Sequence, residues 1–207
     1  YYADVGENTW TRAYVTHLMT PNTPFLFCPY TGDIAAVGDF THEFGHYYEM
    51  YTMLDDSCIA YDLSEVPSQA LTLLFAQHAA EQPDGENQLH YSVADTVRTV
   101  RSQSFNASIE LRVFALAEDE ITAETIGAIG LDQSNRFGRG QQNELLAQYR
   151  WLADTAIYTD PLQKLSYATS ASAALDLWLC SLEDTNAAVA AYEQLVRRNG
   201  TRLFLSN

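Results

Sequence analysis

His42-Glu43-Phe44-Gly45-His46 forms an HExxH motif. On a helix, positions i and i+4 share a face, so both imidazoles can reach one metal ion. Glu43 follows His42 by about 100° round the helix, close enough to hold a water on that metal without ligating it. A catalytic zinc takes three protein ligands and keeps a fourth position open. Glu65 is the candidate third ligand: eighteen residues separate it from His46, a spacing that permits a helix-turn-helix return over the His pair. The chemistry of such a set is hydrolysis. Zinc lowers the pKa of its water towards about 7, and Glu43 takes the proton. The activated water attacks a peptide carbonyl, Glu43 returns the proton to the leaving amine, and the tetrahedral oxyanion needs a further donor. The same residues would also serve as a polar stripe on an amphipathic helix. Gly45, which permits close backbone approach, and the usable distance of Glu65 favour the metal.

The elements that must position these residues are mostly helical. Pro21 and Pro24 mark a turn, and Phe25-Leu26-Phe27-Cys28 predicts a short strand, at a sheet edge because of its prolines. Helical patterning runs from Ile34 through both histidines to about Leu54. Ser64 reads as an N-cap, with Glu65 and Pro67 in the first turn of a helix to about Ala80. Further helices are expected over Ser92–Glu118, Thr122–Phe137, Gln141–Ala156, Tyr167–Leu182 and Asn186–Arg198, the last closed by Asn199-Gly200. Glu49, three residues after His46, reads first as part of a solvated face, with a supporting place behind the ligand imidazole as the functional alternative. Asp62 and Gln69 flank Glu65 and read first as cap and packing residues, with orientation of a ligand imidazole as the functional alternative. His17, His78 and His90 stand in no comparable pattern.

The whole chain has 207 residues, 47% hydrophobic, with 27 Asp+Glu against 11 Lys+Arg and a net charge of −16. That is enough apolar content for one well-packed domain, so the acidity does not signal disorder. The charge argues against nucleic acid as a partner, since few cations are available to displace phosphate counterions. No stretch has the length and apolarity of a membrane span, and no signal peptide is visible, so a cytoplasmic location is expected. Cys28, Cys58 and Cys180 are odd in number and form no CxxC pair, which predicts buried, reduced thiols.

These residues resemble the oligoendopeptidase F and thimet oligopeptidase family of zinc peptidases. TPFLFCPYTGDIAAVGDFTHEFGH, from Thr23, is similar to the family's stretch leading into its HExxH helix. SEVPSQALTLLF, from Ser64, is similar to its glutamate helix, and Tyr167-Ala-Thr-Ser-Ala-Ser-Ala-Ala to its late helix. The resemblance implies a mainly α, multi-helix, zincin-like catalytic domain with a small β region ahead of the HExxH helix. It implies zinc held by His42, His46 and Glu65, Glu43 as general base, and oligopeptides as substrates. Residues 1–207 then make a single catalytic domain like the C-terminal third of such an enzyme, without the N-terminal helical part. Association with that missing part, or with a second copy, would cover the apolar surface left exposed.

The sequence departs from the family's pattern in two places. The connection from His46 to Glu65 is shorter than usual. Ahead of its late helix the family carries a His and several Tyr that bind the substrate and its oxyanion; here Ala156 stands at the His position and Lys164 at a Tyr position. Tyr167 and Tyr158 remain as donors, with plain packing as the alternative for Tyr167. A zinc peptidase is the leading expectation. The alternative is a truncated or degenerate member that binds zinc with little or no peptidase activity.

Overall fold

A computed structural model describes residues 11–52, 63–139 and 143–198, and they fall in two compact units. Unit 1 comprises residues 1–97 and 170–207, and unit 2 residues 98–169. The described residues are mainly α, with a small two-stranded sheet, as expected.

Unit 1 opens on a hairpin. β1 (Tyr14–Leu18) pairs antiparallel with β2 (Thr23–Phe27), from Tyr14 opposite Phe27 to Leu18 opposite Thr23. The Tyr14 and Phe27 rings stack across the strands at 5.4 Å, the kind of cross-strand pair that holds a short ribbon in register. The sequence reading has only β2, and β1 takes the place of its irregular start. Gly32, at φ +80°, turns the chain after β2, and Asp33 Oδ1 then accepts from Ala36 N at 2.8 Å. That bond occupies one of the orphan donors at the start of α1 (Ile34–Thr52).

α1 buries Gly38, Thr41, Gly45 and Glu49, a stripe at three- and four-residue spacing. Gly45 of that stripe packs against α2 (Val66–Ala79), whereas Gly38 lies beside Gln88 and Tyr91. α2 begins at Val66 with Glu65 at the N-cap position and Pro67 in its first turn. The sequence reading puts Ser64 at that cap; the helix starts one residue later. Beneath it, Ala70 and Leu73 join Ala174 of α7 (Gln163–Glu183) and Tyr192 and Val196 of α8 (Thr185–Arg198) in one core cluster. The expected Asn199-Gly200 closure lies outside the described residues, as does Asp62.

Unit 2 holds the second half of α3 (Glu86–Phe114), then α4 (Ala123–Arg136), α5 (Glu144–Tyr149), α6 (Ala156–Thr159) and the start of α7. Its core gathers Phe105, Ile109, Ile129, Trp151 and Ile157. The single helix expected over Gln141–Ala156 is instead α5, a 3-10 turn over Arg150–Ala153 and α6. Asn143 caps α5, its Oδ1 accepting from Leu146 N, and Trp151 Nε1 donates to Gln148 O at 2.8 Å, which tightens the chain where the helix would have continued. Glu110 is buried, and its Oε2 accepts from Leu162 N at 2.6 Å. No described helix is long and apolar enough to cross a membrane.

Candidate metal centre

Glycine at position 45 lets α1 and α2 approach until the site can form. A β-carbon there would collide with Ser68 Cα and stand 2.9 Å from Pro67 O. With the backbones so close, the first turn of α2 brings Glu65 over the two histidines of α1. His42 Nε2 lies 3.3 Å from Glu65 Oε2, and His46 Nε2 lies 3.5 Å from the same oxygen. Those atoms all lie within 4.8 Å of one another. Ligands held about 2.0–2.1 Å from a tetrahedral zinc stand about 3.4 Å apart, so the donor set fits that ion in type and spacing.

The electrostatics are those of a half-buried polar cluster. Burial pushes the Glu65 carboxyl up, but hydrogen bonds from His42 and His46, with their charges, prevail and hold it far below the ordinary carboxylate value. Its place at the N-terminus of α2 also favours the ionised form. Ser68 Oγ donates to Glu65 O at 3.0 Å, which ties the residue's backbone to the helix it begins. At His46 burial opposes protonation, yet the Glu65 hydrogen bond and the charges of Glu65, Glu43 and Glu49 keep its pKa above the ordinary histidine value. Burial also raises Glu43; His42 and His46 oppose that rise, while Glu65 and Asp39 add to it. A carboxylate with raised proton affinity, one residue from His42, is the kind of group that accepts a proton from water.

Glu49 is 2% exposed rather than on a solvated face, and its charge acts on both His46 and Tyr192. The signal was available: Glu49 follows Gly45 by four residues and so continues the buried stripe. Gln69 is buried and its Oε1 has no hydrogen-bond partner among the described residues, so no imidazole is seen to be oriented by it. Cys28 is half-buried, with its thiol pushed up by burial, whereas Cys180 is exposed, contrary to expectation.

His42, Glu43, His46 and Glu65 thus come together in unit 1. Tyr158 and Tyr167 belong to unit 2. Tyr158 is exposed and its hydroxyl donates to Leu152 O at 3.1 Å; Tyr167 is half-buried on α7. Lys164 Nζ pairs with Asp154 Oδ2 at 3.0 Å, and Asp154 Oδ1 accepts from Ala156 N.

Solved structures similar to this chain include an X-ray structure assigned to oligoendopeptidase F, with TM-score 0.76 and 20% identity. PZ peptidase A with an inhibitor gives 0.75 and 18%, and an oligoendopeptidase F from Bacillus anthracis str. Ames gives 0.63 and 14%. Each match covers 94% of this chain but only 36%, 36% and 33% of the other, so the chain spans about a third of their length. The chain therefore has an oligoendopeptidase F-like fold. No family model matches the sequence, and no curated protein does.

Proposed function

We propose that the chain is the catalytic part of a zinc metallopeptidase that hydrolyses internal peptide bonds of oligopeptides. The observation that carries this reading is the convergence of His42 Nε2, His46 Nε2 and Glu65 Oε2, with Glu43 beside them. Those three residues would hold the metal. Zinc, when bound, supplies Lewis acidity, which polarises a scissile carbonyl and acidifies water. Glu43 accepts the proton of the attacking water and delivers it to the departing amine as the carbon–nitrogen bond breaks. The oligoendopeptidase-like fold supports the substrate class, and the resemblance assigns oxyanion stabilisation to Tyr167 and Tyr158. On this reading residues 1–207 are a single catalytic domain, equivalent to the C-terminal third of such an enzyme, acting in the cytoplasm.

Glu43→Gln separates binding from chemistry. With the proposed function, cleavage of a quenched fluorescent peptide library falls by about 10²–10⁴-fold, the range a general base contributes, while the zinc content stays the same. Loss of zinc together with activity would assign Glu43 a ligand or folding role instead.

One observation favours a second reading, a zinc-binding but degenerate member. Ala156 and Lys164 occupy the stretch where the resemblance places a His and a Tyr, and Lys164 is engaged with Asp154. Zinc at one per chain without peptide cleavage would select this reading.

A further inference from the structure

Seven of the eleven cationic side chains fall in unit 2, against nine carboxylates, whereas unit 1 has four cations against eighteen. Unit 2 is therefore close to neutral within a strongly acidic chain. Two of its arginines, Arg139 and Arg150, line one cavity of about 640 Å³ together with Phe105, Asn106, Asn143 and Asp154. The Arg139 guanidinium carbon stands 4.7 Å from the Phe105 ring centroid, a cation–π contact that positions the head group. A third guanidinium borders the same wall: Arg101 Nη2 would lie 3.5 Å from a β-carbon on Gly138, itself a lining residue.

The use of these groups differs. Arg101 donates to Phe137 O at 2.6 Å and so closes the C-terminus of α4. Arg139 and Arg150 make no ion pair among the described residues. The carboxylate on the cavity wall, Asp154, is already taken by Lys164 Nζ and Ala156 N. Burial, then the charges of Arg101 and Arg150, make Arg139 easier to deprotonate than an ordinary arginine, as expected where cations repel one another. An anion between them would relieve that repulsion.

We propose that this cavity binds a small organic dianion, gripped by the Arg139 and Arg150 forks. Guanidinium forks match both phosphate and carboxylate, so either group satisfies the same contacts. Asn106 supplies a further amide, and Asn143 keeps its NH₂ free to donate because its Oδ1 is spent on Leu146 N. The volume is that of a small-molecule site rather than of a lone ion, and Phe105 and Trp151 give it apolar wall.

Calorimetric titration of the full chain at fixed ionic strength, with phenyl phosphate and with phthalate, tests this. Saturable binding of at least one probe is expected, weakened at least tenfold by Arg150→Gln and by Arg139→Gln, and unaffected by Arg136→Gln on the nearby helix. The tighter probe reports whether the site prefers phosphate or carboxylate. If Arg139→Gln fails to fold for want of its stack on Phe105, Arg150→Gln and Asn106→Asp carry the same test. No saturable binding of either probe overturns the proposal. So does binding that survives the arginine substitutions, or that disappears in His46→Ala, which would place the anion at the metal centre.

Discussion

Gly45 and Ser68 meet backbone to backbone: a β-carbon on residue 45 would collide with Ser68 Cα. This contact, rather than the histidines themselves, sets how closely α1 and α2 can pack. It therefore sets whether Glu65, at the head of α2, reaches His42 and His46.

Gly45→Ala would separate the two helices. A destabilisation of about 1–3 kcal/mol is expected from overpacking, measured by urea unfolding. Zinc affinity should fall at least tenfold with it, because the Glu65 carboxylate moves with its helix. Unchanged affinity would mean that α2 does not depend on this contact to place its ligand.

Asp33 closes the first turn of α1 through its bond to Ala36 N. That bond, then one from Thr31, holds the Asp33 carboxyl below the ordinary aspartate value of 3.8. A depressed folded-state pKa means that the ionised form stabilises the fold above the unfolded value, and that this contribution is lost as pH falls through the folded value. Asp33→Ala should therefore lower the urea midpoint at pH 7. The gap between wild type and variant should narrow in acid below 3.8, while Asp33→Asn, which still caps, should retain more of the stability at neutral pH.

Metal binding should register as folding stability. Zinc at a free concentration about 100 times its Kd adds about 2.7 kcal/mol to a chain that binds it only when folded. A chelator should remove that increment in the wild type and find none to remove in Glu65→Gln. Equal midpoints with and without chelator in the wild type would count against a site built into the fold.

The donor for the oxyanion can be tested separately from the metal. If Tyr167 supplies it, Tyr167→Phe lowers kcat by about 10²–10³, the loss seen when one such donor is removed, with zinc content and KM little changed. Tyr158, whose hydroxyl already donates to Leu152 O, should show the smaller effect of the two when changed to Phe.

The candidate centre was readable in the sequence because its parts are local. The HExxH spacing needs only one helix, and Glu65 needs only the start of the next. What escaped depends on partners distant along the chain or on breaks inside a periodic run. β1 is a strand because β2 lies beside it, and Tyr-Val-Thr-His-Leu carries no turn signal of its own. The helix expected over Gln141–Ala156 breaks into pieces because Trp151 bonds back to Gln148 O, a bond that periodicity cannot reveal. Glu49 is the opposite case. Residue type suggested solvent, and helical spacing puts it inside.

Metal content of the purified chain, with peptide cleavage followed on the same sample, tests the central claim most directly. One zinc per chain, lost in His42→Ala, His46→Ala and Glu65→Gln but kept in Glu43→Gln, with cleavage that a chelator abolishes, is the predicted result. No stoichiometric metal, even after zinc is supplied, would contradict the assignment of His42, His46 and Glu65 as its ligands.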